Sequence, residues 1–354
     1  EYALPENKAS KEPVESFLHD SYATPEQEQE AWRLVLGYYE KYCESTENAK
    51  NERADAQVWR QKLKKAVKDG QNDPEDPNNL CSELLMLAER LNRFALNMNF
   101  TPLYNCAKGL FSTGFGLREN KLANSHYDIL VSEARLTSYL AVAKGDVPPE
   151  HFRKMSRKRA ENGDGILQSW SGTAFEYLLP ELFLPAYPGS MWDTTIRLML
   201  DGQIRYGAML GIPWGISESG YHAMDLNMNY KYKAFGVPGL GVKRGLAEDL
   251  VAAPYASLMA IAHKPREGME NTEQFRELGA CGLYGLYEAV DFTKGRKGIV
   301  ASYMAHHLGM SFVGIANYLH DGLVAEAFLQ IPLVASAQTL IAERNPKGYG
   351  KVRW

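Results

Sequence analysis

The chain has 354 residues, 45% of them hydrophobic, with 39 basic against 43 acidic side chains and a net charge of -4. Such a chain can bury a sizeable core as one large domain or two smaller ones, which excludes disordered and low-complexity classes. The charge leaves no global footprint for a nucleic acid or an anionic membrane, so the expected partner is neutral.

The opening EYALPENKASKEP lacks a charged-then-apolar signal layout, and no apolar run approaches the roughly 20 residues that span a bilayer. The segment is therefore expected to be soluble, without direct membrane contact. Because it begins at Glu1 without a methionine, it reads as a piece of something longer. Trp32, Val35, Tyr38, Tyr39 and Tyr42 recur at three- and four-residue spacing and predict an amphipathic helix. Leu80, Leu84, Leu87, Leu91 and Phe94 predict a second, and both stripes are expected to face a core. Between them DGQNDPEDPNN, residues 69–79, is a polar, proline-interrupted connector. It divides the chain into an N-terminal helical extension, residues 1–80, and a main domain, residues 81–354.

A hairpin is expected around Leu103 to Phe115. Beyond it, apolar helical stretches alternate with short Gly, Pro and aromatic segments such as QSWSGTAFEYLLP, GIPWGISESGY and FGVPGLG. Strand-type alternation is scarce, which disfavours a parallel βαβ sheet. The fold class expected is all-α, a toroid of helices with the active site in loops at one end.

Several chemistries fail on inspection. Cys43, Cys81, Cys106 and Cys281 lie far apart with no CxxC pair, so reduced, partly buried thiols are expected, not a zinc ribbon or a disulfide framework. GLGVKRG at 239–245 has neither GxGxxG spacing nor a Walker lysine followed by Ser or Thr, and reads as a tight loop. His306 and His307 are adjacent, about 100° apart on a helix, and cannot easily share one ion. A core or substrate-contacting histidine is expected there. Ser217 and Ser219 flank a glutamate and do not form a nucleophile elbow. No metal or cofactor is implied.

What remains is carboxylates set among aromatics and glycines, as in sugar-processing sites. Glu133 lies in SHYDILVSEARL, where a helix would either pair it with Arg135 or point it into a cavity. Glu218 lies in a loop after Trp214 and Gly215, where glycine would let the backbone approach a ligand. Glu176 in SWSGTAFEYLLP and Glu288 in YGLYEAVDF share this composition, so four glutamates compete for two roles and spacing does not choose among them. Tyr127, Trp170, Trp214, Tyr221, Tyr284 and Tyr287 lie near these acids in sequence, and flat aromatic faces suit pyranose rings.

The stretches NFTPLYNCAKGLFSTGF, SHYDILVSEARLTSYLAVAKGDVP, SWSGTAFEYLLP, PWGISESGY, YKAFGVPGLGVKRGLAEDLVAAPYA, YGLYEAVDF and SYMAHHLGMS, in this order over residues 85–325, resemble the glycoamylase-like cyclisation domain of cyclic β-1,2-glucan synthases. The resemblance implies an (α/α)6 barrel acting on linear β-1,2-glucan, within a larger synthase and on the cytoplasmic side of the inner membrane. It implies Glu133 as general acid/base and Glu218 as nucleophile of a retaining transglycosylation that closes the chain into a ring. Tyr127, Asp128, Trp170, Glu176, Trp214, Tyr221, Tyr287, Glu288 and His306 are then the expected substrate-binding or supporting residues. One departure is the segment KGRKG at 294–298, short where the family has a longer excursion, and an open cleft there would favour hydrolysis. The alternatives are an endo-β-1,2-glucanase and a non-catalytic β-glucan-binding domain.

Overall fold

A computed structural model describes residues 77–160 and 166–345. Ten α-helices lie among them: α1 (Pro77–Asn97), α2 (Ala134–Ala143), α3 (Glu150–Lys154), α4 (Ala174–Glu181), α5 (Met191–Leu210), α6 (Pro254–Met259), α7 (Pro265–Glu277), α8 (Ala305–Leu319), α9 (Leu323–Gln330) and α10 (Pro332–Ala335). The chain divides into two compact units, residues 1–98 and 99–354.

In the first unit only α1 is described. Its apolar stripe was expected to face a core, yet Leu80, Leu84, Leu87, Leu91 and Phe94 are 48% to 72% exposed. Helical spacing fixes the helix but carries no information about what covers its face. The tyrosine-rich helix expected around Trp32 to Tyr42, and most of the connector, lie outside the described residues. The connector's last residues, from Pro77, already belong to α1.

The second unit is helix-rich, but it is not all-α. Short antiparallel strands punctuate it, because turn sequences such as DLNMN at 225–229 fold the chain back before a helix can start. β1 (Tyr104–Asn105) pairs with β2 (Leu110–Phe111), which is the hairpin expected there. β3 (Phe115–Gly116) pairs with β4 (Lys121–Leu122), and β5 (Ser219–Met224) with β6 (Tyr230–Lys233). β7 (Val251–Ala252) flanks a three-stranded sheet, β8 (Cys281–Gly282) pairs with β9 (Gly285–Leu286), and β10 (Ala289–Asp291) lies between β7 and β11 (Gly298–Val300). The segment KGRKG is the tight turn of the β10–β11 hairpin. Arg296 fixes it, donating to Asp291 at 2.6 Å and reaching Asp249 at 2.8 Å.

α5 is the central long helix. Ser190 caps its first turn by accepting from the Asp193 N–H at 3.0 Å, and Gly211 ends it with a left-handed φ of 64°. Trp192, Ile196, Met199 and Leu200 recur at helical spacing and are buried, each contributing roughly 1.5–3 kcal/mol by leaving water. α8 packs against α6 at close range, because a Cβ on Gly314 would stand 2.5 Å from the Leu258 carbonyl oxygen. That approach lays the start of α8 over Tyr255.

Cys81, Cys106 and Cys281 are free and exposed, not partly buried. No described helix is long and apolar enough to cross a membrane.

Candidate active site

Glu218 stands at the end of an extended segment, Pro213 to Ser217, that two buried side-chain amides grip like neighbouring strands. Asn271 of α7 accepts from the Trp214 N–H at 3.0 Å and donates to its carbonyl at 2.8 Å. Gln203 of α5 does the same for Ile216, at 2.9 Å in both directions. Gly215 carries a φ of 112°, and a Cβ there would stand 2.9 Å from the Ala253 carbonyl oxygen. The glycine therefore serves backbone against backbone and not, as expected, the approach of a ligand. Ser217 Oγ accepts from the Phe175 N–H at 3.0 Å and meets Tyr255 Oη at 2.8 Å, and Tyr255 donates to the Glu218 carbonyl at 2.8 Å. The backbone at Glu218 is thus pinned from α4, α5, α6 and α7.

The Glu218 carboxyl is half-buried. Burial pushes it above the usual carboxylate range, Glu133 and Glu176 push the same way, and a hydrogen bond from Tyr232 together with His307 pulls it back.

Glu133 has a different setting. It was expected within a helix, but α2 starts one residue later and Glu133 is its N-cap position, with no side-chain capping bond. Its carboxylate accepts from Ser132 Oγ at 3.0 Å. The expected Glu133–Arg135 pair does not form, because Arg135 is buried and lies over the Trp192 ring at 3.9 Å. Burial lowers the Arg135 pKa to about 10. Glu133 instead lines a cavity of about 410 Å³ with Phe100, Phe111, Ser112, Tyr127 and Thr137 among its walls. Ser112 Oγ is buried there without a hydrogen-bond partner. Tyr127 connects the two acids: burial raises its pKa first, then Glu133, then Glu218.

The other two glutamates are tied into the fold. Glu176 completes a capping box with Thr173 and accepts from Ser169 Oγ at 2.7 Å and from the Ser171 and Thr173 N–H groups at 3.2 Å. Its carboxylate faces inward and holds the 169–173 turn. That turn is stitched to residues 237–243, which overlap the tight loop expected at 239–245, and a Cβ on Gly241 would stand 2.6 Å from the Gly172 nitrogen. It presents Trp170, which is 60% exposed. Glu288 is buried and accepts from the Gly220 N–H at 3.0 Å and from His307 Nδ1 at 2.9 Å.

The remaining expected residues scatter. Trp214 is only 5% exposed and belongs to the core, which removes it as a sugar platform. Tyr221 is half-buried beneath Arg296, 4.5 Å from its ring centroid. Tyr287 packs on Tyr303 at 5.3 Å, and Tyr284 is exposed beside that ring. The Asp128 side chain is exposed, while its carbonyl accepts from the Ser156 N–H at 2.6 Å.

His306 is exposed and His307 buried, so α8 turns the second histidine inward. The signal was available: His307, Met310, Ser311 and Gly314 share one helical face. Sequence reasoning also missed Tyr232, Tyr255, Gln203 and Asn271: the two tyrosines lie at the two ends of YKAFGVPGLGVKRGLAEDLVAAPYA, where nothing singled them out, and the two amides lie in none of the quoted stretches. Among the described residues no His, Cys, Asp or Glu group could hold a metal ion.

Residues 125–332 match the Glycoamylase family, described as "Putative glucoamylase". The chain belongs to the glycoamylase family. Every residue from Tyr127 to His307 discussed above lies inside the matched span. This glycoamylase-family chain is 42% identical over 275 residues to the cyclic beta-(1,2)-glucan synthase NdvB of Rhizobium meliloti (strain 1021), covering 76% of the chain and 10% of that protein. It thus spans about a tenth of the synthase's length. It shares its fold with a "putative glucoamylase" from Bacteroides caccae, at a TM-score of 0.56 and 19% identity over 73% of this chain and 66% of that one. An endo-beta-1,2-glucanase from Chitinophaga pinensis, solved with sophorotriose and glucose, gives a TM-score of 0.56 and 18% identity over 73% and 64%.

Proposed function

We propose that this glycoamylase-family chain acts on linear β-1,2-glucan and closes it into a ring by retaining transglycosylation. The observation that carries the reading is a pair of half-buried carboxylates in different settings, Glu218 on a backbone clamped by buried side chains and Glu133 in the wall of an open cavity. Identity to a cyclic β-(1,2)-glucan synthase supports the substrate class.

Ring closure breaks one β-1,2 bond and makes another of the same configuration, which calls for a double displacement. Glu218 attacks the anomeric carbon and forms a glucosyl ester as the C–O bond to the leaving chain breaks. Glu133 gives its proton to the departing oxygen. The 2-hydroxyl at the chain's other end then loses its proton to Glu133 and displaces Glu218, restoring both carboxyl groups. The backbone clamps on Glu218 suit a nucleophile, which must hold one attack geometry. The cavity beside Glu133 suits the leaving sugar, and Ser112 is part of its wall. Trp170 supplies an exposed aromatic face, and Glu176 and Glu288 support the loops around the acids.

In this reading the helices of the second unit form an (α/α)6 toroid and carry the active site at one end. The domain works inside a larger membrane-associated synthase, on its cytoplasmic side, with glucan as its partner and no nucleic acid. A second reading, endo-hydrolysis, is favoured by the fold shared with the Chitinophaga pinensis glucanase and by the tight β10–β11 turn, which stands where a longer excursion was expected.

Incubating linear β-1,2-glucan with the wild type, Glu133→Gln and Glu218→Gln, while scoring reducing ends and products resistant to an exo-acting β-glucosidase, separates the readings. Resistant products without new reducing ends, lost in both variants, are expected. A rise in reducing ends with no resistant product assigns hydrolysis, and no change in chain length leaves a glucan-binding domain.

A further inference from the structure

Around Glu218 the structure builds more than the proposed chemistry uses. Glu288 is buried and divides its carboxylate between two partners: one oxygen holds the Gly220 N–H, two residues beyond Glu218, and the other meets His307 Nδ1 at 2.9 Å. A carboxylate only accepts, so Nδ1 is the donor and Nε2 is directed onward. Nε2 lies 3.4 Å from the Tyr232 hydroxyl. The His307 ring is held flat on Tyr255, with centroids 3.8 Å apart and planes at 12°, and Tyr255 is the residue that donates to the Glu218 carbonyl. Tyr232 lies opposite Gly220 in the β5–β6 register, which brings its hydroxyl to the Glu218 carboxyl. Gly220 leaves room for the arrangement, since a Cβ there would stand 3.4 Å from Glu288 Cγ.

We infer that Glu288, His307 and Tyr232 form a positioning relay for Glu218, which keeps the nucleophile ionised and aimed by holding its proton on His307. The inference rests on Glu218 being the nucleophile.

The proton count closes. With Glu218 ionised, His307 carries protons on both nitrogens, Nδ1–H donates to Glu288, Nε2–H donates to the Tyr232 oxygen, and Tyr232 donates its own proton to Glu218. When Glu218 takes up a proton it takes it from Tyr232, whose oxygen receives the Nε2 proton in turn; His307 is left neutral, Glu218 donates to the Tyr232 oxygen, and Tyr232 donates a hydrogen bond to the bare Nε2. No charge is created or lost between the two states, so the exchange suits a site shielded from water. Such a device answers a need. Burial, Glu133 and Glu176 all press Glu218 toward its protonated, non-nucleophilic form, and Tyr232 and His307 are the groups that oppose them.

The titratable groups that face Glu218 are Tyr127 and Glu133 before α2, Glu176 on α4, Tyr232 on β6, Tyr255 on α6 and His307 on α8. Those facing His307 are Glu288, Tyr232, Tyr255 and its neighbour His306.

The test is the pH dependence of kcat on linear β-1,2-glucan for the wild type, Tyr232→Phe, His307→Asn and the double variant, with Glu218→Gln as reference. Tyr232 is 39% exposed, so Tyr232→Phe leaves the fold intact, and His307→Asn keeps a donor toward Glu288 while removing Nε2. Each single variant is expected to lower kcat roughly tenfold to hundredfold with KM little changed, and to move the acid limb of kcat to higher pH. The double variant should be no worse than the weaker single one, because both remove the same relay. A wild-type acid limb and kcat in Tyr232→Phe, or losses that multiply in the double variant, would overturn the relay while an inactive Glu218→Gln leaves the nucleophile standing. An active Glu218→Gln would instead overturn the nucleophile itself.

Discussion

Glu133 and Glu218 sit in similar sequence, each preceded by serine and surrounded by apolar residues, and the structure gives them opposite surroundings. Glu218 hangs from a backbone gripped by Asn271, Gln203, Ser217 and Tyr255, and its carboxyl is crowded by tyrosines and a buried histidine. Glu133 has one hydroxyl neighbour, no capping bond, and a cavity in front of it. The difference fits two jobs. A nucleophile must reach one carbon along one line, whereas an acid/base must follow an oxygen that leaves and a hydroxyl that arrives.

The sharpest way to break this comparison is to change the leaving group. Glu218→Gln should lose at least about 10³-fold in kcat on every substrate, since nothing replaces the nucleophile. Glu133→Gln should lose about 10²–10⁴-fold on β-1,2-glucan but keep a fast first step on a dinitrophenyl sophoroside, whose leaving group needs no proton. A burst of dinitrophenol from Glu133→Gln and none from Glu218→Gln is the expected pattern. The reverse pattern exchanges the two roles.

A second test concerns the grip itself. Asn271→Ala leaves the Trp214 N–H and carbonyl unpaired in the core, and Gln203→Ala leaves the Ile216 N–H unpaired while its carbonyl keeps the Ala174 N–H. Each should cost about 1–3 kcal/mol of stability, measured as a lower urea midpoint at constant slope. Activity at low temperature should fall too, because the segment ending in Glu218 loses a wall. A comparable buried alteration near Glu133, Ser138→Ala, removes the Ser138 contacts to His151 and Met155, which do not touch the segment ending in Glu218, and should leave turnover unchanged.

Glu218 also predicts a pH effect whose sign can be worked out. Its folded-state carboxyl lies above the unfolded value, so the ionised form is the disfavoured one in the native protein. The stability it contributes is fully present below the unfolded value, near 4.3, and is lost as pH rises through the folded one. Glu218→Gln should therefore melt higher than the wild type at pH 7, with the gap closing as pH falls toward 4. Activity of the wild type should fall on acidification at a pH above the ordinary carboxylate range. An inactive variant that is also less stable at pH 7 would contradict the buried, crowded carboxyl.

How much of this was legible in the sequence depends on the kind of residue. The hairpin at Tyr104–Phe111, the tight glycine loop at 239–245 and the helix carrying Leu80 to Phe94 followed from local pattern, although that helix's apolar stripe is exposed. The four glutamates did not separate, because composition is blind to bonding. Glu176 and Glu288 turn out to be saturated by backbone N–H groups, a hydroxyl and a histidine, while Glu133 lines a cavity and Glu218 is half-buried among tyrosines. Trp214 was misread for the same reason: a tryptophan beside glycine looks like a platform until Asn271 is seen holding its backbone in the core. His307 was readable from the phase of α8. Tyr232 and Asn271 were not, since they reach the site only through strand register and a helix 57 residues away in sequence.

The smallest expected effect tests the open side. Ser112 is buried with its hydroxyl unpartnered in the wall of the cavity that Glu133 lines. A buried hydroxyl without a partner is a cost that a sugar hydroxyl in the cavity would remove once the Ser112 side chain turns its Oγ toward it. Ser112→Ala takes away that cost in the free protein and the bond in the complex, so KM should rise by about fivefold to tenfold, the worth of roughly 1 kcal/mol, with kcat little altered. Thermal stability should stay level or rise slightly. If KM is unchanged and stability rises, the cavity is not occupied by substrate, and the acceptor must reach Glu133 from another direction. If kcat falls instead, the cavity wall shapes the transition state as well as the bound chain, and the contrast between a rigid nucleophile side and a permissive acid side is weaker than the structure suggests.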